Sequence, residues 1–299
     1  MRLNTAWRSI RLPSQYFPDR GGLAQSPDLH HSHTEVKPQM TLEEIIARLE
    51  ELCPPQFAVS WDNSGLQAGR YEQEVKTVCL AVDATSEAIA FAAAQGADLL
   101  ITHHPLLFSG IKSIHDRHFI GKRVMELIRN DISCYAMHTN FDVMGMADAA
   151  ADLLRLEDRE VLEVTYEDEV SKEGIGRIGR LPEHMKLNDF AALVRDAFRL
   201  ESVRVYGNPS DTIVTAAVLP GSGKDEIDLA AEAGADVMVT GDVNHHAGLD
   251  ALEKGIAVID AGHYGVEKIF VPYMEDYLRR NFPELEILRA PESEPFHTV

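Results

Sequence analysis

Metal-binding side chains follow short apolar runs at two places in this sequence. His103 and His104 come directly after one run, and His263 follows another, with Glu267 four residues later. Neutral imidazole and carboxylate groups are ligands of first-row metals, and residues i and i+4 of a helix share one face. The spacing therefore predicts a metal site to which both segments contribute.

Two adjacent histidines favour a site for two ions. Within a regular strand His103 and His104 would point to opposite faces, so they could not share one ion. Just past a strand, held by Pro105, they can reach two ions about 3.5 to 4 Å apart, as in two-metal sites. Asp142 offers a carboxylate from the next strand end, and Glu267 can bridge both ions through its two oxygens. Such a nitrogen-rich set favours zinc, iron or manganese over calcium, and the sequence does not choose among the three.

The elements that must position these residues contain an internal repeat. Residues 92–102 align without gaps with residues 230–240, and each copy has the pattern of a helix closed by a glycine and followed by a buried strand. A further helix and strand follow each copy, leading to His138 and to His263. Helices alternating with apolar strands predict an α/β fold of two similar halves. Because ligands of α/β sheets gather at the carboxyl ends of the strands, the metal site is expected there, between the halves.

The N-terminal segment differs from the rest of the chain. It is interrupted by prolines and lacks apolar periodicity, which predicts disorder. Thr41 and Glu44 then have capping-box spacing ahead of a helical apolar face that ends at Leu52. The predicted organisation is a disordered extension, 1–38, and a metal-binding unit, 39–299, with halves at about 39–142 and 211–299 and an intervening segment, 143–210.

Composition excludes several classes of protein. The formal net charge of -20 argues against binding to a nucleic acid polymer, and no apolar run is long enough to span a bilayer. The three cysteines have no C-x-x-C spacing, which indicates neither a disulfide framework nor a thiolate zinc site. We therefore expect a protein of a reducing compartment, the cytoplasm, with no membrane partner.

Four motifs together resemble a known family. They are residues 61–66, 102–106, 138–142 and 262–267, and they are similar to those of the NIF-three-like dinuclear metal proteins, called GTP cyclohydrolase 1 type 2 homologs. The resemblance covers roughly residues 40 to 299 and is to the short form of the family. It implies a two-part α/β subunit, a toroidal homohexamer and a two-metal site facing the interior cavity. The ligand positions of the family fall on His103, His104, Asp142, His263 and Glu267.

Three further histidines are candidates for proton transfer. His138 is interpreted as orienting Asp142 rather than binding a metal directly. His245 and His246 are either acid/base groups of the pocket or polar caps of the following helix. The segment 61–66 is either a structural turn beside the pocket or a substrate contact.

Other polar residues are given structural roles. The run 220–225 looks like part of a phosphate-binding loop, but Val218 stands where the first glycine is needed and Asp225 replaces the Ser or Thr. We interpret the run as a glycine turn near the pocket. Strand ends or turn caps are expected at Asp83, Asp98 and Asp236.

The favoured function is metal-assisted hydrolysis of a small molecule. Two ions would activate a water, and His138, His245 or His246 would move protons. The family name implies opening of the imidazole ring of GTP, and a phosphoester or other nucleotide hydrolase would use the same ligands. The alternative is a non-catalytic protein that stores or delivers metal, or a ring-shaped interaction scaffold.

Overall fold

The computed structural model describes residues 40–292 and 294–296. The predicted extension 1–38 lies outside the described residues. The helices are α1 (Leu42–Leu52), α2 (Ser86–Ala94), α3 (Phe119–Arg129), α4 (Thr139–Phe141), α5 (Ala147–Leu153), α6 (Leu187–Ala197), α7 (Ile227–Glu232), α8 (His245–Glu253), α9 (His263–Glu267) and α10 (Phe270–Asn281). The strands are β1 (Met40–Thr41), β2 (Gly65–Ala68), β3 (Glu74–Val75), β4 (Thr77–Ala81), β5 (Leu99–Thr102), β6 (Ser133–Ala136), β7 (Glu157–Glu167), β8 (Lys172–Lys186), β9 (Arg204–Tyr206), β10 (Thr212–Ser222), β11 (Val237–Gly241), β12 (Ala257–Asp260) and β13 (Glu286–Arg289).

Two mixed sheets form the centre of the fold and confirm the predicted α/β class. The first has the strand order β13-β4-β5-β6-β2, with β13, β4, β5 and β6 parallel and β2 antiparallel. The second has the order β7-β8-β10-β11-β12-β9, with β10, β11 and β12 parallel. Strands β4, β5, β6, β11 and β12 are almost wholly buried, as near-continuous apolar runs require.

Each sheet contains strands from outside the sequence half to which it was expected to correspond. The intervening segment 143–210 supplies β7, β8 and β9, which extend the second sheet antiparallel to their neighbours. The C-terminal strand β13 returns to the first sheet, where Glu286 to Arg289 pair with β4. A short additional pair, β1 and β3, lies outside both sheets.

Local signals correctly located the first helix and the repeat. Thr41 caps α1 through a complete capping box with Glu44, and the predicted apolar face is buried. In the repeat, α2 precedes β5 and α7 precedes β11, as the aligned pattern predicts. Asp98 Oδ2 accepts the backbone N–H groups of residues 76 and 77, and Asp236 Oδ2 accepts those of 214 and 215. The two aspartates therefore tie equivalent strands together, in the structural role expected of them.

All three cysteines are free and buried. Among the residues that the structure describes, no helix combines the length and the apolar character needed to cross a membrane.

Candidate metal centre

The five predicted ligands come together where strands of both sheets end. His103 and His104 follow β5, and Asp142 lies one short helix beyond β6. His263 and Glu267 are the first and last residues of α9, which begins three residues after β12. We call these five residues the ligand cluster. Carboxyl strand ends from each sheet therefore meet at one place, as the α/β pattern predicts.

The Glu267 carboxylate lies between the histidines of the cluster. Its Oε1 is 3.5 Å from His103 Nε2, whereas its Oε2 is 3.1 Å from His104 Nε2 and 3.2 Å from His263 Nε2. On the Oε1 side, Asp142 Oδ1 is 3.5 Å from His103 Nε2. Glu267 is almost fully buried. Each of its oxygens thus faces a different set of donor atoms.

Hydrogen bonds on the outer side of the cluster fix the histidine rings. His103 Nδ1 donates to the carbonyl oxygen of Met137 at 2.9 Å, and His104 Nδ1 donates to Asp83 at 2.9 Å. His263 Nδ1 donates to Asp242 at 2.8 Å. Because a carbonyl or carboxylate oxygen can only accept, the proton of each neutral ring resides on Nδ1 and the lone pair on Nε2 faces the cluster. This is the arrangement in which histidine binds a metal ion.

Polar atoms at the centre of the cluster are buried without protein partners. Within the described residues, His103 Nε2 and Asp142 Oδ1 have no hydrogen bond. His104 Nε2 and His263 Nε2 lie only 3.3 Å apart, so two lone pairs converge on one point when both rings are neutral. Burying unsatisfied polar atoms costs about 1–3 kcal/mol each, and a cation would satisfy them together. The residues present therefore fit a metal ion.

A glycine turn passes directly beside the cluster. Gly221 has a φ of +85°, and a Cβ built on it would lie 2.6 Å from Glu267 Oε1 and 3.9 Å from His263 Nε2. The run 220–225 is thus a backbone turn at the site, consistent with its interpretation from the sequence. The absence of a side chain at Gly221 leaves room for the Glu267 carboxylate.

His138 joins the cluster from the side of the first sheet. Ligand atoms of His103, His104 and His138 all lie within 4.8 Å of one another, as do those of His104, His263 and Glu267. His138 Nδ1 donates to Asp62 Oδ1 at 2.8 Å. The Nδ1 hydrogen bond of His138 therefore goes to Asp62, whereas the sequence predicts that His138 orients Asp142.

His245 and His246 are the first two residues of α8. Both are exposed at the start of α8, where Asn244 caps the helix, and their rings contact each other with centroids 5.3 Å apart. Neither belongs to the groups of described residues that are close enough to share an ion. A catalytic role for these two histidines stays a prediction.

Comparisons with known proteins agree with this architecture. A sequence model of the family Duf34/NIF3 (NGG1p interacting factor 3) matches residues 40–295. The chain belongs to this family. A GTP cyclohydrolase 1 type 2 homolog of Clostridium perfringens is 31% identical over 264 residues, which cover 87% of this chain and all of the relative. A homolog of the same name from Streptomyces coelicolor is 37% identical over 76% of this chain and 81% of its own length. The crystal structure of a Bacillus cereus protein related to NIF3 superposes with a TM-score of 0.80 at 26% identity, covering 88% of this chain and all of that one.

Three carboxylates of this Duf34/NIF3 protein were missed as partners of the site. The sequence indicates only a strand end at Asp83, yet Asp83 accepts a hydrogen bond from His104. Asp62 accepts one from His138, and Asp242 accepts one from His263. Asp83 follows the buried strand β4, which ends at the same sheet edge as β5. This position in the sequence could have indicated that Asp83 lies close to His104. Which imidazole each carboxylate contacts depends on packing between distant segments, which spacing does not reveal.

The metal-free cluster of this Duf34/NIF3 protein is expected to carry protons that a metal must displace. Burial lowers the pKa of His104, but the carboxylates of Asp83 and Glu267 beside it outweigh burial and raise that pKa to about 10. The Glu267 carboxylate likewise raises the pKa of His263 to about 9. A raised pKa means that both rings are protonated at pH 7.5, and only the neutral ring binds a metal.

Zinc binding should therefore release protons at pH 7.5, and the apparent affinity should rise as the pH increases toward 9. Calorimetric titrations in two buffers of different ionisation enthalpy measure the release directly. We expect the observed heats to differ between the buffers. Equal heats in both buffers would contradict the assignment of these imidazoles as ligands.

Proposed function

We propose that this chain is a metal-dependent hydrolase with two divalent ions, zinc, iron or manganese, that acts on a nucleotide or a related small molecule. The observation that carries the proposal is the position of Glu267. Its Oε1 faces His103, whose Nε2 is also 3.5 Å from Asp142 Oδ1, and its Oε2 faces His104 and His263. A buried carboxylate with separate donor sets on its two oxygens is the arrangement expected of a bridging ligand.

The ligand cluster and its outer partners would hold the ions. When bound, two such ions supply Lewis-acid polarisation of the electrophile and lower the pKa of water toward neutrality. The outer hydrogen bonds to Met137, Asp83 and Asp242 keep the rings of His103, His104 and His263 turned inward. The buried Gly221 leaves room for the Glu267 carboxylate beside these rings.

His138 is the residue best placed to move a proton. Asp62 accepts the Nδ1 proton, so His138 Nε2 is the atom that can exchange a proton with a substrate. Burial raises the pKa of Asp62, but hydrogen bonds from His138, Ser64 and Thr139 outweigh burial and hold that pKa well below its usual range. Asp62 therefore stays ionised and keeps the His138 ring in place through the Nδ1 hydrogen bond.

A nucleotide is proposed as the substrate because the relatives from Clostridium perfringens and Streptomyces coelicolor are called GTP cyclohydrolase 1 type 2 homologs. The test is a turnover screen of GTP, cyclic nucleotides and simple phosphoesters with protein loaded with zinc, iron or manganese. We expect hydrolysis that is abolished by chelation of the metal. His138→Ala should lower the hydrolysis rate by about 100-fold or more, since loss of a general acid or base costs at least about that factor. The matched control His184→Ala removes an exposed histidine of β8 and should leave the rate unchanged.

Exchangeable metal without turnover on any of these substrates would contradict the hydrolase proposal. That result would favour the storage or delivery of metal. An unchanged rate in His138→Ala, with turnover present, would instead remove only the proton-transfer role of His138.

A further inference from the structure

Two large aromatic side chains are exposed beside the ligand cluster. Trp61 is 61% exposed and Phe108 is 56% exposed, although both are among the side chains that usually gain most from burial. Their ring centroids are 5.8 Å apart, and the ring planes are tilted by 45°. We call these two residues the aromatic pair. The tilt and the exposure leave ring surface of both residues open to a ligand.

The aromatic pair reaches the cluster through His138. The ring centroid of His138 is 6.0 Å from that of Trp61 and 6.2 Å from that of Phe108, and both contacts are edge to face. The same ring is 5.3 Å from His103 and 5.4 Å from His104. A small molecule held at the cluster therefore has the aromatic pair within reach of its other end.

Hydrogen bonds hold the two loops that carry the pair. Asn63 Nδ2 donates to the carbonyl oxygen of Leu107 at 2.6 Å, and the backbone N–H of Leu107 donates to Gln67 Oε1 at 3.1 Å. Asp62, next to Trp61 in the chain, accepts from the backbone N–H of Thr139 at 3.1 Å and from its hydroxyl at 2.6 Å. Each aromatic residue thus neighbours a residue that joins its loop to another segment. A pre-positioned aromatic surface binds a flat ring at a low entropic cost.

We propose that the aromatic pair is a stacking subsite for the base of the substrate, with the ligand cluster holding the reacting end. A heteroaromatic base stacks on an exposed aromatic ring without needing opposite charge, which suits a chain of net charge -20. The proposal rests on the proposed function for the identity of the ligand as a nucleotide. The rival occupant of the exposed pair is a second copy of this chain, and the experiment separates the two.

The test measures binding by the fluorescence of Trp61. Trp7 is the other tryptophan of the sequence, so Trp7→Phe makes Trp61 the single reporter. The zinc-loaded full chain is titrated with GMP, AMP and UMP, and with ribose 5-phosphate, which has the sugar phosphate but no base. We expect at least one nucleotide to quench Trp61, and to bind about tenfold more tightly than ribose 5-phosphate.

Variants then locate the contact. With calorimetry as the readout, Trp61→Ala and Phe108→Ala should each weaken nucleotide binding by about tenfold and leave ribose 5-phosphate binding and zinc content unchanged. Trp61→Phe should restore most of the affinity. Phe119→Ala is the matched control, because Phe119 is also 61% exposed but lies at the start of α3, outside the pair.

Three results overturn the subsite: no base-dependent quenching by any of the nucleotides, unchanged nucleotide affinity in Trp61→Ala, or a smaller assembly of that variant by light scattering. The last result would assign the pair to a contact between copies. Base-dependent binding without hydrolysis would contradict the proposed function and leave the subsite standing. Turnover at a rate that depends neither on the base nor on Trp61 would contradict the subsite and leave the proposed function standing.

Discussion

Glu267→Gln is expected to leave the protein folded but to reduce its tightly bound metal to at most one ion per chain. The amide keeps the volume of the buried side chain, but it carries no charge and only one oxygen. Burial raises the pKa of Glu267, but His103, His104 and His263 outweigh burial and hold that pKa well below its usual range, so the native side chain is ionised. Loss of a residue that merely orients a ligand costs about 10–100-fold in metal affinity. Loss of the shared ligand Glu267 should therefore lower the metal affinity by more than about 100-fold.

Elemental analysis after dialysis against a weak chelator measures this effect. Glu232→Gln is the matched control, because it makes the same chemical change at an exposed position of α7. The control should keep the metal content of the native protein. If Glu267→Gln retained two tightly held ions, the bridging role would be wrong, and the metal would be held chiefly by His103, His104 and Asp142.

Gly221→Ala should abolish metal binding although it replaces none of the five residues of the ligand cluster. The new Cβ would lie 2.6 Å from Glu267 Oε1, which is closer than real Cβ contacts allow, so the carboxylate must turn away from His103. The φ of +85° adds a backbone cost of about 1–3 kcal/mol for any residue other than glycine. Gly234→Ala separates the two effects, because Gly234 has a φ of +83° and nothing within 4 Å of its Cβ position.

Thermal unfolding with and without zinc checks this prediction. Both variants should unfold at a lower temperature than the native protein, because both place alanine at a positive φ. Zinc should raise the unfolding temperature of the native protein and of Gly234→Ala, since a ligand that binds only the folded state stabilises it. A zinc-induced rise of native size in Gly221→Ala would show that the turn does not border the metal.

Much of the fold was predictable because its signals are local. The capping box at Thr41 and the apolar face of α1 lie within a few residues of each other, and the repeat shows the same helix and strand twice. The antiparallel strands β7, β8 and β9 and the return of β13 to β4 were not predictable. Strand partners that lie far apart in the chain are chosen by packing over long distances, and a single strand pattern does not name its partner.

In the site, too, the local features were predictable and the contacts between distant segments were not. The sequence places the candidate ligands His103 and Glu267 at one site, because each lies at a strand end or one helical turn from another candidate. The hydrogen bond between Asp62 and His138 joins residues distant in the sequence, and so does the contact between Trp61 and Phe108. Such pairs exist only once the two sheets and their loops are assembled.

We expect the ligand cluster to hold two divalent ions. The most direct measurement is the metal content of the native full-length chain, equilibrated with zinc and passed through a desalting column, by elemental analysis against protein concentration. Two zinc ions per chain are expected, with the second lost in Glu267→Gln. One ion or none in the native chain, or two that persist in that variant, would contradict the account.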